Sequence, residues 1–188
     1  MNTRLRLAAA GPLAAAVAAG TLAFAAPANA ESAHVTDPVD ASASLNDIRA
    51  VDVSNGAAKV RVKVKFTDLR RHSDAGPAGL QIFFDTFGGD SGTGPEYELA
   101  TGLEEGTDYA LAERAGWRGP TGDPLSCNVR LKLDYRNDEL RAAIPRRCLD
   151  RPEYLRVGVK MTDEYDGSHP VIDWMKGPRK WTRWLESA

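Results

Sequence analysis

The chain has 188 residues, a formal charge of −2 and no basic run or arm, so the sequence argues against a nucleic-acid partner. Beyond residue 30, no stretch is apolar enough to span a bilayer, so no membrane span is expected after that point. The phosphate-binding pattern G-x-x-x-x-G-K is also absent, and we expect no cofactor.

The first thirty residues have the pattern of a signal peptide. Arg4 and Arg6 form a basic segment, residues 7–24 are rich in alanine, leucine and valine, and residues 28–30 match an A-x-A cleavage site. An uncleaved membrane anchor is the alternative, but a glycine and a proline interrupt the apolar run. We therefore expect a secreted, extracellular protein. About 160 residues remain after cleavage, enough for one domain with a hydrophobic core.

Residues 31–44 are small, polar and aperiodic, which predicts a flexible N-terminal tail. A single domain is expected over residues 45–188. It opens with a short strand over residues 48–53 and a second strand, KVRVKVKF, over residues 59–66. The intervening Asn-Gly predicts a hairpin, and a three-residue loop over residues 55–57 would place Ile48 opposite Val64.

Alternating apolar and polar residues indicate further strands, separated by turn signals every 8 to 12 residues. No amphipathic helix is evident. This pattern predicts an all-β chain that forms a single antiparallel β-sandwich, jelly-roll-like in topology. The further strands are expected over residues 80–87, 96–101, 107–113, 127–135, 140–144, 155–161, 171–174 and 180–185.

The segment between Cys127 and Cys148 reads as a hairpin that carries both cysteines of the chain. If residues whose numbers sum to 275 are paired, Leu133 lies opposite Ala142 and the two cysteines lie opposite each other. An exported protein meets an oxidising environment, so the sequence predicts one disulfide between them. A two-cysteine metal site is the alternative, and no histidine lies near enough in the sequence to support it.

Three segments carry a resemblance to known proteins. The run PEYELATGLEEGTDYALAERAGW, the cysteine pair with IPRRCL and the run DWMKGPRKWTRWL resemble a family of small secreted actinobacterial proteins of unknown function. More loosely, the order of an alternating strand, an IFFDT strand and a strand that ends in Ile-Pro is similar to the DOMON and carbohydrate-binding-module sandwiches. The second resemblance implies a binding module by analogy of fold.

The tetrapeptide at residues 89–92, GDSG, matches the surroundings of the nucleophile in chymotrypsin-like proteases. Such a serine needs a histidine base and a complete first barrel before it. Too few residues precede Ser91 for that barrel, and His34 and His72 lack the expected surroundings. We interpret the motif as a connector, and we expect the chain not to be an enzyme.

Acidic residues gather in the loop that follows the strand at residues 155–161. Asp163, Glu164 and Asp166 offer hard oxygen ligands of the kind that calcium prefers, and they are the calcium candidates of the sequence. Their spacing differs from the EF-hand pattern, and a solvated acidic loop is the alternative.

A ligand site is predicted in the same loop, because aromatic rings and hydrogen-bonding groups occur together there as a sugar site requires. The loop follows a strong strand, which would hold it on a rigid scaffold. The loop is taken as residues 163–174, with Trp117 from another loop as a second wall. The predicted ligand-binding residues are Trp117, Tyr165, Asp166, His169, Asp173 and Trp174.

These features favour a secreted, non-enzymatic β-sandwich that acts as a binding or cell-envelope-interaction module, with an envelope or extracellular polysaccharide as its partner. A carbohydrate-active hydrolase is one alternative, since that chemistry needs only two suitably spaced carboxylates. A structural extracellular protein and a protease inhibitor are the others.

Overall fold

In a computed structural model, which describes residues 30–73, 76–87, 94–164 and 169–188, the chain forms two antiparallel sheets. The first sheet has five strands in the spatial order β1-β2-β3-β9-β8. Its strands are β1 (Glu31–Thr36), β2 (Ile48–Asn55), β3 (Lys59–Phe66), β8 (Arg130–Asp134) and β9 (Glu139–Pro145).

The second sheet has the order β11-β10-β4-β5-β6-β7, with a short last strand that also pairs with β10. The order β10-β4-β5-β6 is that of a Greek key, because β10 returns beside the first strand of a meander. The strands are β4 (Ala78–Asp85), β5 (Tyr97–Gly102), β6 (Tyr109–Arg114), β7 (Thr121–Pro124), β10 (Tyr154–Asp163), β11 (Val171–Trp174) and β12 (Leu185–Glu186).

One hydrophobic core fills the space between the two sheets and confirms the predicted all-β, two-sheet architecture. The first sheet contributes the inward residues of β3, including Val62 and Phe66, which are at most 1% exposed. The second sheet contributes Ile82, Phe84 and Val159 from its central strands. Because side chains alternate along a strand, the residues between them point outward and form the two outer faces of the molecule.

The hairpin of β2 and β3 is confirmed, but its predicted register is wrong. Val51 pairs with Val64, and the turn closes where the Gly56 amide donates to the Lys59 carbonyl at 3.1 Å. A bulge between Ile48 and Ala50 lets both Ile48 and Val51 face the core. Strict alternation, which the prediction assumed, would have turned one of them outward.

The disulfide between Cys127 and Cys148 is confirmed, with the two Cα atoms 6.1 Å apart. The hairpin that led to it has a different register, since Leu133 pairs with Leu140 instead of Ala142. Both arrangements put the same side chains on the same face, so side-chain parity does not distinguish them. A 3-10 turn, Arg146–Leu149, carries Cys148 towards its partner after the pairing has ended.

The segment expected to be a flexible tail contains a strand. β1 pairs with β2 over six residues, from Glu31 opposite Asn55 to Thr36 opposite Ala50. The prediction missed it because only one of its side chains, Val35, is both apolar and buried. Backbone hydrogen bonds to β2 hold the other residues of the strand in place, and such bonds cannot be recognised from a hydrophobicity pattern.

Other predicted strands are confirmed with shifted bounds. The strand expected over residues 80–87 ends two residues early, and Phe87 is exposed. Within 180–185, where a closing strand was expected, only Leu185 is paired. No strand was expected over residues 117–124, but the last four of these residues form β7.

The predicted signal peptide, residues 1–30, lies outside the described residues apart from Ala30. Within the part of the chain that the structure describes, no helix has the length and apolarity needed to cross a membrane.

Candidate functional site

Two of the predicted ligand-site residues, Trp117 and Trp174, meet on the outer face of the second sheet. Their ring centroids are 5.5 Å apart in an edge-to-face arrangement. Phe83 stacks on Trp174 at 5.8 Å, and Trp181 lies 4.7 Å from Trp117. We call these four residues the aromatic cluster. The distances between the rings are those of packed aromatic pairs, so each ring packs part of its surface against its neighbours.

A buried ion pair holds one side of the aromatic cluster. The guanidinium of Arg156 lies 2.7 Å from a carboxylate oxygen of Asp85, whose side chain is fully buried. The same guanidinium lies over the rings of Trp184 and Trp181, 4.4 and 5.1 Å from their centroids. This cation–π contact binds the C-terminal tryptophans to the sheet. The cluster is therefore a second hydrophobic layer on the outside of the sandwich.

The other predicted ligand-site residues do not join these two tryptophans in the described structure. Asp173 precedes Trp174 in β11, so the two side chains point to opposite faces, and Asp173 is buried on the inner side. His169 is exposed just before β11. Tyr165 and Asp166 lie outside the described residues. The ligand site as a whole remains a prediction.

The predicted calcium candidates have different surroundings. Asp163 is buried and accepts hydrogen bonds from the Ser44 hydroxyl at 2.5 Å and from the Asn46 amide at 3.3 Å. Glu164 is exposed. Asp166 lies outside the described residues, so calcium binding by these three remains a prediction.

A second candidate site is the outer face of the first sheet, which carries a depression of about 440 Å³. Because five strands run side by side, their outward residues form rows across the sheet. One row places Lys63, Arg141 and Lys132 on three neighbouring strands. The next row, two residues along, places Arg61 and Arg130 on either side of the small Ala143. We call these five cationic residues and the surface between them the basic face.

Ion pairs occupy only part of the basic face. Lys63 lies 3.0 Å from Asp52, the one acidic residue among the described residues that line the depression. Arg141 lies 2.5 Å from Glu139. The remaining three cations, Arg61, Arg130 and Lys132, have no carboxylate within 4.0 Å in the described parts of the chain. Their charges are therefore available to a ligand.

Asp52 and Lys63 stabilise each other in their charged forms. Burial raises the pKa of the Asp52 carboxyl, but hydrogen bonds from His34 and Lys63 outweigh it and hold this pKa below its ordinary value. The hydrogen bond to Asp52 raises the pKa of Lys63 in turn. This ion pair therefore persists at neutral pH.

A third place of interest is a group of carboxylates at one end of the sandwich, where the loop between β1 and β2 meets β11. Asp37, Asp40 and Asp173 each offer a carboxylate oxygen within 4.8 Å of the others. Burial raises the pKa of Asp37, and burial together with neighbouring carboxylates raises that of Asp173 to about 7. We call these three residues the acid group.

Sequence reasoning missed both the basic face and the acid group. The alternating Lys59, Arg61, Lys63 and Lys65 are visible in the sequence, but the pattern does not show whether they lie at a sheet edge or on a broad solvent-facing surface. The structure places β3 in the centre of its sheet, so these cations lie on a broad surface. The acid group escaped notice because Asp37 and Asp40 fall in the segment expected to be a tail.

Comparison with known proteins gives no relative: no protein-family model, no curated protein and no solved structure matches this chain.

Proposed function

We propose that this chain is a non-enzymatic binding module that holds an acidic polysaccharide on its basic face. The observation that carries the proposal is the concentration of charge. Five cationic side chains and one acidic side chain line a single depression of a chain whose formal charge is −2. Such an uneven distribution attracts a polyanion and raises the rate at which it associates.

The arrangement of the cations fits an extended polymer. Neighbouring strands are about 4.8 Å apart, and residues two positions along a strand are about 6.8 Å apart. The two rows therefore offer positive charges at short, regular intervals over several strands. Repeated carboxylate or sulfate groups along one polymer chain can contact several cations at once. Multiple weak contacts of this kind add up without a deep pocket.

A polysaccharide fits the face better than a single-stranded nucleic acid. Proteins that bind single-stranded nucleic acid combine positive charge with aromatic side chains on which the bases stack. Among the described residues, no phenylalanine, tyrosine or tryptophan lines the depression, and the aromatic cluster lies on the outer face of the other sheet. The face offers charge and hydrogen bonds alone, which suit carboxylated or sulfated sugars.

A binding role also suits the acids of the face. Glycoside hydrolysis uses a pair of carboxyl groups, one of which must donate a proton. Asp52 is paired with Lys63, and Glu139 accepts from the Nε of Arg141 at 2.9 Å. Hydrogen bonds from His34 and Lys63 outweigh burial and hold the pKa of Asp52 below its ordinary value, which favours binding over acid catalysis at this carboxylate.

Binding to immobilised polygalacturonate and dextran sulfate tests the proposal, with uncharged dextran as the neutral polymer. We expect the wild-type protein to bind both acidic polymers at low salt and to lose affinity steeply as the salt concentration rises. The variant Arg61→Gln, Arg130→Gln, Lys132→Gln should lose at least tenfold in affinity, because it removes the three unpaired cations.

A matched control variant distinguishes an effect of this site from an effect of the net charge of the protein. Arg118, Arg147 and Lys180 are exposed cations outside the basic face, and their triple glutamine variant has the same net charge as the test variant. It should retain wild-type affinity. Equal losses in both variants, or full retention in the test variant with its fold confirmed by circular dichroism, would contradict the proposal. Tighter binding of single-stranded DNA, or equal binding of uncharged dextran, would also count against it.

A further inference from the structure

The three carboxylates of the acid group have no ion pair. Among the described residues, no basic side chain lies within 4.0 Å of a carboxylate oxygen of Asp37, Asp40 or Asp173. Their neighbour Asp47 shows the contrast, since it lies 3.2 Å from the guanidinium of Arg49. The charge of Arg49 also acts on Asp37, but burial outweighs it and raises the pKa of Asp37. Three carboxylates therefore converge without a direct cationic partner.

Backbone amides hold two of the three carboxylates in place by one oxygen each. The Lys176 amide donates to Oδ1 of Asp37 at 2.5 Å, and the Ile48 amide donates to Oδ2 of Asp173 at 2.6 Å. These contacts fix the side chains and bring the β1–β2 loop against β11. The second oxygen of each carboxylate remains free of these backbone contacts.

The second carboxylate oxygen of Asp37 gives a separate indication of a bound ligand. Asp37 is 95% buried, and its Oδ2 is shielded from solvent without any hydrogen-bond partner. A buried carboxylate oxygen without a partner loses its hydration and gains no hydrogen bond in return, which is unfavourable. A bound cation would remove this cost.

The spacing of the three oxygens suits a calcium ion. Calcium binds oxygen at about 2.3 to 2.6 Å, so two ligand oxygens of one ion are separated by at most about 5 Å. The oxygens of the acid group lie within 4.8 Å of one another. Asp40 is exposed, which leaves a side open for the water ligands that would complete six to eight contacts.

We propose that Asp37, Asp40 and Asp173 form a calcium site that fastens the β1–β2 loop to β11. The site is separate from the basic face, and neither proposal depends on the other. Calcium is favoured over magnesium because magnesium demands nearly ideal octahedral geometry and keeps most of its water. The ion would replace the missing cationic partner and supply a contact for Oδ2 of Asp37.

Titration of the chelator-treated full-length mature protein with calcium chloride tests this site. Calorimetry should show one ion bound per chain, and the melting temperature should rise by several degrees at saturating calcium because the ion binds only the folded state. Magnesium chloride at the same concentration should produce less than a third of the rise. The variants Asp37→Asn and Asp40→Asn should each weaken calcium binding at least tenfold.

Asp40→Asn is the decisive variant, because Asp40 is exposed and its substitution leaves the core intact. Asp108→Asn, a change at an exposed acid remote in sequence from the group, is the matched control and should bind calcium as the wild type does. Absence of calcium binding up to about 10 mM would overturn the proposal. So would wild-type affinity in both Asp37→Asn and Asp40→Asn, which would place the ion elsewhere.

Discussion

Gly158 provides the space in which two rings of the aromatic cluster pack against the second sheet. A Cβ atom at this position would lie 3.1 Å from the Lys180 carbonyl and 3.3 Å from the rings of both Trp117 and Trp181. Two indole rings can therefore pack flat on the second sheet only because this strand position has no side chain. The backbone of Gly158 has no unusual conformation, so space and not chain flexibility explains the glycine.

We expect Gly158→Ala to destabilise the protein by about 1 to 2 kcal/mol, because the added methyl group displaces two large rings or the backbone of residue 180. Urea unfolding gives the loss, and a red shift of tryptophan emission reports the displacement of the rings. The control is Gly79→Ala on the neighbouring strand, where the new Cβ would meet only the Thr101 carbonyl at 3.4 Å. Equal stability in the two variants would show that the aromatic cluster accommodates the added methyl group, which would contradict the prediction.

The candidate ligand site also shows how far single residues can be predicted. The approach of Trp117 to Trp174 was anticipated from their shared aromatic character, and it is observed. Asp173 was placed in the same site, although adjacent residues in a strand point to opposite faces. The alternation of side chains along a strand would by itself have placed Asp173 and Trp174 on opposite faces. Its meeting with Asp37 depends on a loop contact between residues 136 positions apart, for which the sequence has no local signal.

The strands β1 and β7 are the elements that the sequence did not reveal, and two valines on either side of the end of β1 allow a comparison there. Val35 lies in β1, pairs with Val51 and is 7% exposed, whereas Val39 in the following loop is 59% exposed. If β1 is part of the folded domain, Val35 stabilises the domain through its buried apolar surface, and the exposed Val39 does not.

We expect Val35→Ala to cost about 1 to 2 kcal/mol in unfolding free energy, because it removes buried methyl groups and leaves a cavity. Val39→Ala should change stability by less than about 0.5 kcal/mol. Thermal or urea unfolding of both variants measures the difference. Identical stabilities would mean that residues 31–44 form the flexible tail that the sequence first indicated.

Elements with strict alternation and β-branched residues were the most predictable. The bounds of β3 and β11 were anticipated to the residue, because each has a clear turn signal on both sides. Register was less predictable. In the cysteine hairpin, a shift of two residues keeps Leu131 and Leu133 on the same face, so hydrophobicity cannot choose between the alternatives.

At the scale of the whole molecule, the disulfide joins the segment that precedes β8 to the turn after β9, and its two cysteines are 21 positions apart in the sequence. We expect the double variant Cys127→Ala, Cys148→Ala to be about 3 kcal/mol less stable than the oxidised wild type, because the bond restricts the unfolded chain. Urea unfolding measures the loss. As a control, a reducing agent should destabilise the wild type and leave the variant unchanged. Two titratable thiols in the purified, denatured wild type would contradict the premise.

The two ends of the described chain lie against each other. The carboxylate of Glu31 accepts hydrogen bonds from the Glu186 amide at 2.8 Å and from Arg183 at 3.0 Å. The Asn55 side-chain amide donates to the Leu185 carbonyl at 3.0 Å. During synthesis, β1 emerges before residues 183–186, yet it completes these contacts only when those residues have also emerged. A ribosome that still holds residues 183–186 therefore keeps this corner of the sandwich open, and the corner closes only after they have left the ribosome.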